Sequence, residues 1–157
     1  MTENKIIVCN AITSIWKMGD NFYQGGKKAI ETKEFKESKI KIVINCAVEV
    51  DIPKYGTQRR LGIWKYHSFD LKDNDSEYIF PEAHNIYLVI KDCIDKKIPV
   101  FLHCAKGMNR SCAIAVYVCC KLYDMSVDDS HKHVCSKNPN ASIDKHFLSQ
   151  ITKKLSS

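Results

Sequence analysis

Residues 100–122 do most to restrict the folds open to this chain. Apolar residues from Val100 lead into the pair His103–Cys104, and an apolar run follows Ser111. An apolar run of strand length, a glycine-containing loop and an apolar run of helix length predict a buried strand, a tight turn and a buried helix. The turn then holds a cysteine at the end of the strand and an arginine at the start of the helix.

The loop between Cys104 and Arg110 has a composition that suits a tetrahedral anion. Successive N–H groups of so short a curl point inward and form an anion nest. Gly107 removes a side chain where the backbone must turn, and the following helix adds the positive end of its dipole. Arg110 can hold two phosphate oxygens as a fork. We therefore predict a phosphate-binding loop made of Ala105, Lys106, Gly107, Met108, Asn109 and Arg110.

The positive electrostatic potential of this loop, the helix dipole and Arg110 also acts on the cysteine. Nest donors and a nearby cation favour the thiolate form of Cys104, which makes it a nucleophile. Ser111 is expected to donate its hydroxyl to the sulfur and help it leave in a second step. His103 is expected to order the loop by hydrogen bonding to the backbone, and not to act as a base.

A candidate general acid follows the predicted strand 63–71, where three aspartates lie close together. Side chains alternate along a strand, so residues 69, 71 and 73 share one face. Phe69 and Leu71 should face the core, which directs Asp73 over the carboxyl edge of the sheet, where the loop lies. We predict Asp73 as the acid, with Asp75 second and Asp70 third; otherwise these are solvated carboxylates, or for Asp75 a helix cap.

The remaining pattern predicts an α/β fold, with a central, mostly parallel sheet of about four or five strands flanked by helices. The whole chain, 1–157, is interpreted as a single catalytic domain. Ser126 with Asp129 resembles a capping box. Strands are predicted at 6–9, 13–16, 40–45, 63–71 and 99–103, helices within 25–38, 77–93, 111–123, 126–136 and 142–155, and an exposed loop at 51–60.

Composition and charge restrict the kinds of ligand and the cellular compartment that suit this chain. The chain is 45% apolar and 27% charged, with a net charge of +6, which suits anionic ligands. It has no apolar run long enough to span a membrane and no secretory segment at its start, so we read its eight cysteines as free thiols in a reducing compartment. We expect the cytoplasm, with the nucleus as the alternative.

The run from His103 to Ser111 matches the HCxxGxxR[ST] signature of cysteine-dependent protein phosphatases. The small size resembles the dual-specificity branch of that family, and the likeness extends over roughly residues 10–152. The resemblance implies the fold of that branch, a phosphocysteine intermediate on Cys104, a phosphate clamp at Arg110 and an acidic loop that supplies a proton. It also implies phosphorylated protein substrates and no metal or cofactor.

Other substrates and roles stay open. The chain lacks the Trp-Pro-Asp and Lys-Asn-Arg-Tyr segments of the larger tyrosine-specific branch, which favours a shallow pocket that admits phosphoserine and phosphothreonine as well as phosphotyrosine. Lys106, Asn109 and the positive charge would also suit an RNA 5′-triphosphate or a phosphoinositide. The non-enzyme alternative is a phosphate-binding pseudophosphatase.

Two further sets of residues have a functional and a structural interpretation. Cys46 could trap oxidised Cys104 as a disulfide, although a buried small residue is the favoured interpretation. His131, His133 and Cys135 resemble a metal cluster, but steps of two residues do not share a helix face, which favours a structural role.

Overall fold

The computed structural model describes residues 11–157. The strand predicted at 6–9 therefore lies outside the described residues. The five strands are β1 (Ile15–Gly19), β2 (Phe22–Gly25), β3 (Ile42–Ala47), β4 (Lys65–Leu71) and β5 (Val100–His103). The helices are α1 (Lys33–Glu37), α2 (Tyr55–Arg60), α3 (Glu82–Asp95), α4 (Arg110–Tyr123), α5 (Val127–Lys137) and α6 (Lys145–Leu155), with 3₁₀ turns at Ala11–Thr13 and Lys27–Glu31.

The strands form one sheet in the order β1-β2-β5-β3-β4. β2, β5, β3 and β4 are parallel, and only β1 is antiparallel to its neighbour. His103 at the end of β5 is level with Gly25 on β2 and Asn45 on β3. The mostly parallel α/β sheet predicted from the sequence is confirmed, and the segments that follow β2, β3, β4 and β5 meet at its carboxyl edge.

Alternation along β5 divides the core in two. Val100 and Leu102 face a large cluster, which helices α3 to α6 cover, whereas Phe101 faces a smaller cluster on the other side. The smaller cluster contains Phe35 of α1 and Ile40, which precedes β3. Both faces of the central strand are therefore buried, as expected of a parallel sheet.

The structure differs from the prediction at three elements. The predicted loop 51–60 contains helix α2, which has no buried residue and so leaves no apolar period in the sequence. Strand β2 was not predicted, because four residues with a buried glutamine show no clear alternation. Helix α3 begins at Glu82, five residues later than predicted, since Pro81 disfavours helical geometry in the residue before it.

Other boundaries match more closely. Segment 25–38 holds a 3₁₀ turn and α1, separated by Thr32, whose hydroxyl accepts a hydrogen bond from the N–H of Phe35. The predicted cap at Ser126 is confirmed, since its hydroxyl accepts from the N–H of Asp129 at 3.1 Å. Helix α4 starts at Arg110, the last residue of the predicted phosphate loop and one residue before the predicted start of this helix.

Candidate active site

The loop 104–110 joins β5 to α4. Donors outside the loop hold it in place by hydrogen bonding to its backbone carbonyl groups. In a trans peptide the C=O and the next N–H point in opposite directions, so an outward carbonyl turns the following N–H inward. The N–H groups of Lys106, Met108 and Asn109 are thus directed to the inside of the loop, as an anion nest requires. The outside donors are the N–H of Lys27 to Ala105 O (3.0 Å), Gln24 Nε2 to Gly107 O (3.1 Å) and the N–H of Ser142 to Met108 O (2.8 Å).

Gly107 permits this path. Its φ is +73°, which side-chain-bearing residues rarely adopt, and a Cβ there would lie 2.5 Å from the backbone of Gly25. Only glycine lets the loop pack this closely against the end of β2.

A pocket of about 90 Å³ opens inside the loop. It brings together the predicted nucleophile, the predicted clamp and the predicted acid, together with one carboxylate that the sequence analysis did not select. Lys106 also lines it and is exposed. The lining residues are Glu49, Asp73, Cys104, Ala105, Lys106, Met108, Asn109 and Arg110.

Cys104 is 2% exposed, and its Sγ lies 3.1 Å from Ser111 Oγ. Ser111 Oγ in turn accepts a hydrogen bond of 2.9 Å from Gln24 Nε2. Because an amide nitrogen can only donate, the hydroxyl proton of Ser111 is free to point at the sulfur. Gln24 therefore sets the direction in which Ser111 can donate.

A second buried amide completes this support. Asn138 Nδ2 donates to Gln24 Oε1 at 2.9 Å and to Gly107 O at 3.0 Å. Gln24 and Asn138 are both fully buried, where an unpaired amide is costly, so their contacts fix each other and the loop.

Arg110 is 3% exposed and is oriented from behind. Its Nη1 donates to Glu49 Oε1 at 2.7 Å and to the carbonyl of Leu71 at 2.9 Å, and its Nη2 pairs with the other oxygen of Glu49. Its buried Nε has no hydrogen-bond partner among the described residues. Glu49 and the carbonyl of Leu71 thus hold the two Nη atoms, and Nε is the guanidinium donor without a protein partner in the described part of the chain.

The position of Glu49 follows from the end of β3. Asn45 holds the turn after the strand, accepting from the N–H of Ala47 at 2.9 Å and donating to the carbonyl of Val50 at 3.1 Å. The hydrogen bond from Arg110 lowers the pKa of Glu49, which therefore remains a carboxylate and keeps its bidentate contact.

Among the three candidate acids, the pocket includes only Asp73. Leu71 is buried and Asp70 is exposed, as the alternation argument expected. Asn109 Nδ2 donates to Asp73 Oδ1 at 2.7 Å, and Asn109 Oδ1 accepts from the N–H of Asp144 at 2.8 Å. Asn109 thereby connects the acidic loop, the phosphate loop and the start of α6.

His103 is fully buried and serves the loop backbone. Its Nδ1 lies 2.9 Å from the carbonyl of Cys104, so this nitrogen carries a proton, and its Nε2 accepts from the hydroxyl of Tyr66 at 2.8 Å. Burial lowers the pKa of His103 to about 4, so the ring is neutral at physiological pH.

The remaining candidates lie outside the pocket. Cys46 is fully buried, and burial raises the pKa of its thiol, as does the neighbouring Cys104. His133 Nε2 lies 2.7 Å from the carbonyl of Met18, a contact between α5 and β1.

No group of three or more His, Cys, Asp or Glu within residues 11–157 is arranged to hold a metal ion. In the same residues, no helix has the length and apolar character needed to cross a membrane.

Four residues of the site were not predicted from the sequence: Glu49, Gln24, Asn138 and Tyr66. Only Glu49 left a usable signal, because it closely follows a predicted strand whose end meets the loop at the sheet edge.

Solved structures with this fold include phosphatases and phosphatase-like proteins. The human tyrosine phosphatase-like serine/threonine/tyrosine-interacting protein superimposes with a TM-score of 0.79, at 15% identity, covering 90% of this chain and 95% of that one. At that identity the match establishes a common fold.

The sequence then gives the family. Residues 22–156 match the model of the family described as "Dual specificity phosphatase, catalytic domain", and the chain belongs to this family. The resemblance identified from the signature is thereby confirmed.

Two relatives show how far this sequence has diverged from known members of the family. Protein phosphatase Slingshot homolog 3 of Homo sapiens is 25% identical over 132 residues, which make up 83% of this chain and 19% of that protein. The probable dual specificity protein phosphatase H1 homolog of Fowlpox virus (strain NVSL) is 35% identical over 80 residues, 51% of this chain and 47% of the relative. The chain thus spans about a fifth of the first relative's length.

Proposed function

We propose that this domain removes phosphate from phosphotyrosine and from phosphoserine or phosphothreonine in proteins, through a phosphocysteine intermediate. The observation that carries the proposal is the convergence of Cys104, Arg110 and Asp73 on one small pocket. A nucleophile, an anion clamp and a proton donor are what in-line displacement at a phosphate monoester needs.

In the first step, the Cys104 thiolate attacks phosphorus opposite the ester oxygen. An S–P bond forms as the O–P bond breaks, and Asp73 transfers its proton to the leaving oxygen. The free Nε of Arg110 and the inward N–H groups of the loop stabilise the charge that develops on the phosphoryl oxygens.

In the second step, water attacks the phosphocysteine. Asp73, now a carboxylate, accepts a proton from that water, and the S–P bond breaks with its electron pair on sulfur. The hydroxyl of Ser111, 3.1 Å from Sγ, donates a hydrogen bond to the departing thiolate. Phosphate leaves and the starting enzyme is restored.

One panel of assays tests the activity and its substrate class. Phosphotyrosine and phosphothreonine peptides, triphosphate-ended RNA and phosphoinositide vesicles are compared on the wild type, Cys104→Ser and Asp73→Asn. We expect turnover of both peptides, no turnover by Cys104→Ser, and a loss of about two to three decades by Asp73→Asn on a phosphothreonine peptide.

Each contrary outcome removes a defined part of the proposal. If RNA or phosphoinositide were hydrolysed much faster than the phosphopeptides, the catalytic mechanism would stand but the substrate class would be the RNA or the lipid. Lys106 at the pocket would be consistent with that result. Binding of phosphopeptide without turnover by the wild type would make the domain a binding module.

The cellular setting is also proposed. Seven cysteines of the described residues are free thiols, six of them buried, and a reducing compartment such as the cytoplasm preserves them in that state.

A further inference from the structure

A second cavity, of about 680 Å³, lies at the opposite edge of the sheet from the phosphate loop. It is bordered by α1, by residues 39–41 before β3 and by residues 60–62 before β4, and we name it the basic groove. β3 has six residues, so the basic groove and the phosphate loop are separated by about 20 Å of strand. Its rim carries one carboxylate, Glu31, and five cationic groups, those of Lys33, Lys36, Lys39, Lys41 and Arg60.

The cations of the basic groove are poorly neutralised. Of the ion pairs within residues 11–157, only the exposed contact of Lys33 with Glu37, at 3.8 Å, involves any of them. Five like charges around one cavity repel each other, and a bound anion relieves that repulsion. The basic groove therefore favours a ligand with several negative charges.

The floor of the basic groove adds a second requirement. It is formed by the aliphatic side chains of Ile30, Ile40 and Leu61, together with Phe35, which is 1% exposed. Grooves that bind single-stranded nucleic acid present exposed rings that stack with bases, and the residues that line this groove include no exposed ring. The exposed ring of Trp64 does not line the groove, and the Lys41 ammonium lies 5.8 Å from its centroid. Acidic peptide with an apolar side chain matches both the rim and the floor.

We propose that the basic groove binds an acidic segment of the phosphoprotein substrate, at a distance from the phosphorylated residue. The part of this inference that concerns substrate rests on the proposed function. An extended chain covers about 3.3 Å per residue, so a spacer of about ten residues would let one substrate reach both sites. The acidic segment raises the effective concentration of the phosphorylated residue at the pocket.

Binding is tested first without any chemistry. A fluorescent, unphosphorylated peptide of Glu, Asp and one Leu is titrated with wild-type protein and followed by anisotropy, beside a peptide with Gln and Asn in place of the acids. In the groove variant, Lys36, Lys39 and Arg60 are each changed to Glu. The control variant carries the same reversals at exposed lysines elsewhere, Lys17→Glu, Lys132→Glu and Lys137→Glu.

We expect the wild type and the control variant to bind the acidic peptide with similar Kd, and the groove variant to bind about tenfold more weakly. Neutral substitutions of the same three groove residues to Gln should give an intermediate loss, which guards against an effect of misfolding. Equal losses in the groove and control variants would overturn the proposal, because net charge alone would then explain binding. Groove-dependent binding of single-stranded RNA tighter than that of the peptide would overturn the assignment to a protein segment.

Kinetics then separate this inference from the proposed function. A phosphopeptide joined by a flexible spacer to the acidic segment should lose about tenfold in kcat/KM in the groove variant. The small substrate p-nitrophenyl phosphate should be hydrolysed equally by wild type, groove variant and control variant. If the wild type hydrolyses neither substrate, the proposed function fails, whereas the anisotropy result still decides whether the basic groove binds acidic peptide.

Discussion

Asn109 connects three parts of the site through one side-chain amide. Its nitrogen donates to Asp73, and its oxygen accepts from the backbone of Asp144. Both contacts are made by the same planar group, so the position of the acid is tied to the phosphate loop and to α6.

Replacing Asn109 with Ala should therefore impair the step that needs a proton. We expect a loss of about tenfold in kcat on a phosphothreonine peptide, whose leaving oxygen must be protonated, and little change on a substrate with a good leaving group such as p-nitrophenol. Steady-state kinetics on the two substrates measure this ratio. Equal losses on both would mean that Asn109 supports the loop as a whole and not the acid.

Glu49 is the other residue whose role can be tested singly. Glu49→Gln keeps the shape of the side chain but replaces a bidentate, charge-assisted contact to Arg110 with a weaker one. We expect phosphate or vanadate inhibition to weaken about tenfold, because the guanidinium is less well oriented.

Asp70→Asn, at an exposed carboxylate outside the pocket, is the matched control and should leave inhibition unchanged. Tighter inhibition in Glu49→Gln would show instead that Glu49 competes with the ligand for Arg110.

At the scale of elements, the strand–loop–helix unit depends on a close approach between the phosphate loop and the end of β2. Gly107→Ala places a Cβ 2.5 Å from the backbone of Gly25 at a positive φ, so backbone must move. We expect a destabilisation of about 2–4 kcal/mol by urea unfolding, with loss of vanadate binding. Gly56→Ala in α2, where a Cβ meets nothing within 4 Å, should be neutral or stabilising by up to about 1 kcal/mol. Equal stability of the two variants would contradict the packing argument.

The same unit explains how much the sequence could predict. The strand β5, the phosphate loop and α4 follow one another in the chain. The apolar patterns and the Cys–Arg spacing therefore predicted all three elements, and with them the position of the pocket. Asp73 followed from strand alternation and one shared sheet edge. Gln24 and Asn138 lie far from the loop in the chain and meet it only in the folded protein, so no local pattern marked them. Helix α2 was missed for a related reason, since a helix without buried residues carries no apolar stripe.

At the scale of the whole molecule, burial of His103 couples stability to pH. Its folded pKa of about 4 is below the ordinary value of 6.5, so between these values the unfolded chain binds more protons than the folded one. The contribution of His103 is complete above pH 6.5 and is lost as the pH falls towards 4, with a slope of at most about 1.4 kcal/mol per pH unit.

Urea unfolding from pH 7 to 4.5 measures this slope. His103→Gln should reduce the slope of the unfolding free energy against pH by the equivalent of about one bound proton. His67→Gln should reduce the slope less, because His67 is only half-buried, although burial also lowers its pKa. An unchanged slope in His103→Gln would contradict the assignment of a neutral, buried His103.

Detection of phosphate bound to Cys104 is the most direct test of the proposed phosphocysteine mechanism. Wild-type protein and Cys104→Ser are mixed with a phosphotyrosine peptide, quenched in acid within milliseconds, digested and examined by mass spectrometry. We expect phosphate on the peptide that contains Cys104 in the wild type, and neither turnover nor a phosphorylated residue in Cys104→Ser. Turnover by Cys104→Ser, or phosphate bound to any other residue of the wild type, would contradict this mechanism.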